Sequence, residues 1–410
     1  MKIISPEELA TVLGGIPVDE PRVVTSGNLA TPTMLLELLE ANVESYRLFT
    51  LNAHTVLPER RGVTHETPFV GPALRGRSDV EYLPARLSMV PWLFATSHQP
   101  DVVLVNTSTP RDGSVTLGIE VNILPAAIEQ VRARGGLVIA QLNPLMPAIP
   151  GDGELSIDEI DLAIEFAQEP NTLSPRPASP RVETIGAHVA SQVPDGATLQ
   201  IGIGAVPDAV LALLADRTEL KIWTETISDG LLALERAGAL AVDEEITAGF
   251  LLGSLELYDW AASSGRVRLR RTEVTNDPSE IARHRAMTSI NTALQVDLYA
   301  QSVASYCRGV VYSGFGGQSD FTVGAMHALG GQAIIALPSW HEKSDRSTII
   351  DVATSPITSF QHSSVITEHG IAPVFGRSQR AQARSMISQA ADPRARDELW
   401  RAARRLGLAD

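Results

Sequence analysis

Short apolar runs alternate with longer stretches of helical periodicity along most of this 410-residue chain. Residues 22–27 (RVVTSG), 47–51, 101–105 and 137–141 are apolar runs of five or six residues, the length of strands buried on both faces. Between them, 31–42 and 125–134 repeat apolar positions every three or four residues, as amphipathic helices do. The alternation resumes with a helix at 182–191, strands at 199–201, 221–224, 309–313, 332–337 and 363–367, and a basic helical region at 377–407. Ile281–Met287 and Ala293–Ser302 read as helices, and Glu244–Leu252 and Gly265–Arg271 as strands or short turns. This order predicts an α/β protein built on open, mostly parallel sheets.

Two stretches break the pattern. From His54 to Pro91 there is little periodicity and much Pro, Gly and Arg, which suggests a functional or oligomer-contact segment. Residues 169–181 (EPNTLSPRPASPR) are proline-rich and nearly free of apolar side chains, as a stiff spacer would be. The expected division is a first α/β domain over 1–170, a linker over 171–181 and a second α/β domain over 182–410.

Composition narrows the function classes. A formal charge of −15 argues against nucleic-acid and anionic-membrane partners, while leaving room for an anionic substrate in a local basic pocket. The single cysteine, Cys307, excludes an intrachain disulfide and is expected to be a packed small residue in a reducing compartment. The opening MKIISPEELATVLG lacks a basic start followed by an apolar core, and no run approaches the roughly 18 apolar residues of a membrane span. A cytoplasmic protein is expected. The histidines do not cluster, so no metal site is predicted, and the Gly-x-Ser-x-Gly elbow of serine hydrolases is absent.

The candidate chemistry centres on Leu199–Leu234, which reads strand, glycine turn (Gly202-Ile203-Gly204), helix with Pro207 at its first position, strand, Glu225, then a second helix start at Asp229-Gly230. A carboxylate and a helix N-terminus thus share the ligand-binding edge of a parallel sheet. Gly202-x-Gly204 meets Pro207 where a dinucleotide fingerprint needs its third glycine. Gly314-x-Gly316-Gly317 lacks the Lys-Ser/Thr of a P-loop. Both glycine turns suit either ligand approach or tight strand–helix packing. Two Thr-Glu pairs close strands, Thr224-Glu225 and Thr367-Glu368, and Glu225 has the stronger claim because the glycine turn opens its βαβ unit.

Eight ordered stretches then point one way: GIGAVPDAV (202–210), TETISDGLLAL (224–234), GSLELYD (253–259), TNDPSEIA (275–282), INTALQVDL (290–298), SGFGGQSDF (313–321), ALPS (336–339) and VITEHGIA (365–372). With them the chain resembles the acetyl-CoA hydrolase/transferase family, which includes 4-hydroxybutyrate, butyrate and succinyl-CoA:acetate CoA-transferases. The resemblance implies two open α/β domains of the class I CoA-transferase type with the active site between them. It implies that Glu225 is a nucleophile carrying CoA as a thioester, with the Val206 and Gly317 amides as oxyanion donors. Gly202, Ile203, Gly204, Ala205 and Val206, with Gly314, Gly316 and Gly317, would form the CoA-binding loops, and Asn276 and Glu368 would orient substrate. No permanent cofactor is implied beyond coenzyme A as substrate, and a homodimer or higher oligomer is expected.

The chain departs from the family pattern at Ser26-Gly27-Asn28, at Asp112-Gly113, at Trp340-His341, over Lys343–Ser347 and at His369, all of which bear on the acyl or pantetheine pocket. The leading expectation is an acyl-CoA:carboxylate CoA-transferase acting on short-chain acids. An acyl-CoA hydrolase using the same glutamate, or a non-catalytic CoA-binding protein, are the alternatives.

Overall fold

A computed structural model describes residues 1–174, 177–307, 309–357 and 361–410, so Pro175 and Arg176 of the expected spacer lie outside the described residues. The chain groups into two compact units. The first comprises Met1–Leu173, Thr247–Thr275 and Tyr312–Gly316, and the second Ser174–Ile246, Asn276–Val311 and Gly317–Asp410.

The first unit is built on eight strands: β1 (Lys2–Ile3), β2 (Arg22–Thr25), β3 (Tyr46–Thr50), β4 (Val63–Thr67), β5 (Val80–Tyr82), β6 (Val102–Thr107), β7 (Leu137–Leu142) and β8 (Leu162–Glu165). They form one sheet in the order β1-β8-β7-β6-β2-β3-β4-β5, with every neighbouring pair parallel. From β2 the chain winds outward through β3 to β5, then returns to β6 on the other side. The strand order therefore reverses between β2 and β6, and ligand crevices of open α/β sheets lie at such a reversal.

Several side chains fix that edge. A Cβ on Gly27 would lie 2.3 Å from the Leu51 carbonyl oxygen, so only glycine lets the turn after β2 approach that after β3. Glu120, buried, accepts from the Gly27 amide (3.2 Å), the Asn28 amide (3.1 Å) and the side-chain amides of Asn28 (2.8 Å) and Asn122 (3.4 Å). Burial pushes its pKa up to about 7 against the pull of those donors. Helix α1 (Thr33–Asn42) starts at Pro32, which has no capping side chain. Two glutamines from distant strand ends do that work: the Gln168 side-chain oxygen accepts from the Thr33 amide (3.2 Å) and hydroxyl (2.8 Å), and that of Gln141 from the Met34 amide (3.2 Å).

The segment 54–91 corrects the sequence reading, because β4 and β5 within it belong to the sheet. Their polarity hid them. β4 buries His65, Glu66 and Thr67, and Glu66 escapes the cost of an isolated charge by pairing with Arg22 (2.7 Å) and Arg47 (2.8 Å). Burial opposes its ionisation, but the two guanidiniums hold its carboxyl below the ordinary range.

In the second unit, β9 (Thr198–Ile201), β10 (Lys221–Trp223), β11 (Met287–Asn291), β12 (Gln332–Ala336), β13 (Ser364–Thr367) and β14 (Gly370–Pro373) run in the order β10-β9-β11-β12-β13-β14. All neighbours are parallel except the closing β13–β14 hairpin. The order reverses between β9 and β11, placing the Gly202–Gly204 turn at this unit's own switch point. Helix α2 (Pro180–Ala190) enters the unit, α3 (Ala205–Leu213) links β9 to β10, α4 (Asp229–Ala237) follows β10, and α5 (Gln318–His327) leads into β12. The C-terminal region is helical over Gln379–Ser385 and Pro393–Arg405, as its amphipathic pattern predicts.

Here too some expectations fail. The predicted helix at Ala293–Ser302 is instead the strands Gln295–Asp297 and Ser302–Val303, and most of Ile281–Met287 is the approach to β11. β11 (MTSIN) is central yet buries Thr288 and Ser289, so no apolar run advertised it. Pro207 is the third residue of α3 rather than the first, a site it tolerates because first-turn amides have no intrahelical acceptor. Cys307 is exposed on a two-residue ribbon paired with Val310–Val311, not packed. Among the described residues no helix is long and apolar enough to cross a membrane.

The capping of α1 is directly testable. Gln168→Ala leaves the Thr33 amide and the Gln141 side-chain amide without their acceptor, and is expected to cost about 1–2 kcal/mol in urea unfolding. An unchanged midpoint would show that water replaces the glutamine without loss.

Candidate active site

Glu225 lies two residues past β10, where the chain must turn before α4 begins at Asp229. Thr224 anchors that turn. Its hydroxyl donates to the Ile201 carbonyl (3.2 Å) and accepts from the Ile201 amide (3.4 Å), tying the end of β10 to the end of β9. The carboxylate and the glycine turn are therefore fixed to adjacent strand ends. This stitch was visible only as one of two Thr-Glu pairs; the bond itself required the structure.

The Glu225 side chain meets two groups from elsewhere in its unit. Its Oε2 accepts from the Asn276 side-chain amide at 3.2 Å, and the carboxylate also accepts from the Gly317 backbone amide. Gly317 caps α5, and its α-carbon is pressed against this pair. A Cβ there would stand 2.0 Å from Glu225 Oε2 and 2.3 Å from Asn276 Nδ2. Glycine is required by the approach of the carboxylate, not by backbone conformation, since φ at Gly317 is an ordinary −89°.

Glu225 keeps part of its surface accessible, yet protein surrounds its carboxyl densely. That desolvation, helped by the nearby Asp320 carboxyl, pushes its pKa up to about 7, while the Asn276 and Gly317 donors pull the other way. A carboxylate with that affinity for a proton is a better nucleophile than an ordinary surface glutamate. Asp320 was quoted within SGFGGQSDF but given no role from sequence.

The other expected site residues divide. At Gly202 and Gly204 an added Cβ would meet nothing within 4 Å, and Gly204 has φ +116°, so the turn exposes backbone to solvent in a conformation that suits glycine. Ala205 and Val206 begin α3, where the first-turn amides point outward without intrahelical acceptors. Gly314 and Gly316 are explained by packing in the first unit: a Cβ on Gly314 would stand 2.3 Å from the Pro68 carbonyl oxygen, and one on Gly316 3.2 Å from the Phe69 ring.

Glu368 ends β13, four strand positions from Glu225, or roughly 19 Å at ordinary strand spacing. It accepts from the Ser339 amide (2.8 Å) and hydroxyl (2.7 Å) and pairs with Arg181 (3.3 Å). The unusual Trp340 and His369 converge on it. The Trp340 carbonyl accepts from Arg181 (3.2 Å), the Trp340 ring lies under the Arg394 guanidinium (3.8 Å), and His369 stands 3.7 Å from Asp392. Glu368, His369 and Asp392 offer ligand atoms within 4.8 Å of one another. Arg181 and a bidentate Arg394–Asp392 pair already neutralise the two carboxylates, so a divalent cation would have to displace guanidinium partners there.

Residues 2–173 match the family model for the acetyl-CoA hydrolase/transferase N-terminal domain, and residues 253–403 that for the C-terminal domain. The chain is 34% identical over 403 residues to the 4-hydroxybutyrate coenzyme A transferase of Clostridium kluyveri, covering 92% of each. It is 32% identical over 412 residues to a succinyl-CoA:acetate/propanoyl-CoA:succinate CoA transferase of Fasciola hepatica, covering 94% of this chain and 85% of that one. The crystal structure of RipA from Yersinia pestis superposes with a TM-score of 0.90 at 28% identity, covering 99% of this chain and 98% of that one.

One substitution probes the core of the site. Gly317→Ala is expected to drive the Glu225 carboxylate and the Asn276 amide apart by about 1 Å, since their present positions lie well inside van der Waals contact with a methyl group. A crystal structure of the variant with both side chains unmoved would disprove that account.

Proposed function

Because the chain belongs to the acetyl-CoA hydrolase/transferase family, we propose that it is an acyl-CoA:carboxylate CoA-transferase in which Glu225 carries CoA as a glutamyl thioester. The observation that carries this reading is the juxtaposition of a basic, partly accessible carboxylate with the Gly317 amide and the Asn276 side chain. The full-length relatives above are named as CoA transferases, which supports transfer as the principal activity.

The ionised Glu225 attacks the thioester carbonyl of an acyl-CoA, and CoA leaves as thiolate from the resulting mixed anhydride. The thiolate then attacks the glutamyl carbonyl, releasing the first acid as carboxylate and leaving CoA on Glu225. A second carboxylate attacks that thioester, and the same two steps in reverse deliver it as the new acyl-CoA. Thioester energy is kept on the enzyme throughout, and no net proton is taken up or released. Each addition places negative charge on a carbonyl oxygen. The Gly317 and Val206 amides are the proposed donors to it, and one such donor is commonly worth about 3 kcal/mol in the transition state. The Gly202–Gly204 turn at the switch point, with Ala205 and Val206 at the start of α3, is the proposed CoA-binding loop, and Asn276 orients the carboxylate it already touches.

The reading is tested by mixing an acyl-CoA with isotopically labelled acetate. Label is expected to enter the CoA ester with the wild-type chain and not with Glu225→Ala. Exchange that survives the substitution overturns the mechanism, whereas release of free CoA whatever the acceptor points to the hydrolase instead. Borohydride added with acyl-CoA should reduce the thioester and mark Glu225 by mass.

A pH profile gives a second check. Because the reactive form is the carboxylate and its pKa is pushed up to about 7, kcat/KM should fall as pH drops below about 7. A profile flat down to pH 5 would mean that Glu225 titrates as an ordinary carboxyl, or that it does not limit the rate.

A further inference from the structure

Strands in the middle of a parallel sheet are ordinarily aliphatic, because both of their faces are covered. At the switch point of the second unit, the adjacent strands β9 and β11 depart from that rule. Gln200 and Ser289 are register partners, so their side chains share one face, and Asn291 lies two residues further along it. Gln200 and Ser289 are buried and Asn291 is half-buried. The three side chains close a network. Gln200 Oε1 accepts from the Ser289 hydroxyl (2.7 Å) and from the Asn291 side-chain amide (3.0 Å), and that amide also donates to the Ser289 hydroxyl oxygen (2.9 Å). The Gln200 side-chain amide returns a longer bond to Asn291 Oδ1 (3.4 Å).

This network ends one residue before the Gly202–Gly204 turn begins its approach from Ile201. A Cβ at Gly202 or Gly204 would meet nothing within 4 Å, so no packing at those glycines holds the turn. It is held from the strand that leads into it. The Thr224 hydroxyl ties Ile201 to the end of β10, and the Gln200 side chain ties its own residue to β11. β9 therefore reaches the turn fastened on both flanks. Beyond Asn291, the Thr292 carbonyl accepts from the side-chain amide of Gln318 (3.5 Å), the residue after Gly317.

Apolar side chains of similar volume would fill the same space, and exchanging both partners of a buried hydrogen bond for them is often nearly neutral for stability. Hydrogen bonds add direction, since a shift of β9 against β11 breaks them where aliphatic contacts would slide. A core that breaks its own pattern beside a ligand edge is commonly serving the site.

Resting on the reading of Gly202–Val206 as the CoA-binding loop, we propose that Gln200 is a positioning residue for that loop: through Ser289 and Asn291 it fixes the end of β9, and with it the turn that receives CoA. Gln200 forms no covalent bond and moves no proton. Glu225 is placed from β10 and α5, so the effect of the network falls on CoA binding and not on the chemical steps.

The test is made in a Glu225→Ala background, where CoA binds without reacting, and isothermal titration calorimetry reads its Kd. Gln200→Met and Ser289→Ala are each expected to raise Kd about tenfold, the effect of one lost buried hydrogen bond. Ser289 is fully buried, so its effect must pass through Gln200 and Asn291. The double variant should stand close to either single one, because both changes break one network; independent effects would multiply to about a hundredfold. With Glu225 restored, Gln200→Met should raise KM for acetyl-CoA and leave kcat within about twofold.

A Kd unmoved by the single changes, whatever they do to the urea midpoint, overturns the proposal, and so does a double variant with multiplied losses. Should Gln200→Met fail to fold, Ser289→Ala decides the matter by the same measure. If CoA does not bind the Glu225→Ala chain with Gln200 intact, the loop reading and this proposal fall together. The thioester mechanism is decided separately, by the labelled-acetate exchange.

Discussion

The contact between the Gly317 α-carbon and the Glu225–Asn276 pair limits everything built around it. The carboxylate occupies space that any other residue at 317 would fill, so the helix behind Gly317, the turn that carries Asn276 and the strand that ends before Glu225 must all be placed to that tolerance. Thr224 holds one side of this arrangement by joining two strand ends, and the N-terminus of α5 holds the other. A carboxylate clamped in this way would give up little conformational freedom on reacting as proposed, which is the usual structural route to a large effective concentration.

Three buried or densely surrounded glutamates show how environment divides one side chain into different jobs. Glu66 lies between two arginines and stays ionised as a structural ion pair. Among the described residues Glu120 has no cation, but four donors fill its oxygens, so its capacity is spent on holding the turn after β2. Glu225 has fewer donors, a like charge nearby and some open surface. Only the last combination leaves lone pairs available for chemistry. Burial and a raised proton affinity are shared by Glu120 and Glu225, so neither property alone marks a reactive group.

The alternation of apolar runs with helical periods was enough to read an α/β architecture and most of its strands, because strands such as Val102–Val105 and Val138–Ala140 are buried on both faces and consist of little but aliphatic side chains. It failed where the core is polar. β4 and β11 bury Glu66 and Ser289, whose ion pairs and hydrogen bond are made to residues far away in sequence, and a local pattern carries no trace of such partners. The site divides in the same way. The proposed nucleophile and its glycine were readable as candidates because they lie in short motifs beside strand ends. Thr224 acts through a bond to β9, and the grouping of Trp340, His369 and Arg181 about Glu368 spans nearly the whole second unit; both became legible only once the strands were ordered.

The composition of the first unit has a further consequence for how this chain comes into being. That unit takes Thr247–Thr275 and Tyr312–Gly316 from beyond the point where the second unit has begun, and the cap of its early helix α1 comes from residues 141 and 168. During synthesis from the N-terminus, the first unit therefore has to wait, partly assembled, until Gly316 has left the ribosome. By then much of the second unit is already present. A cut in the spacer near residue 173 would accordingly release neither unit whole.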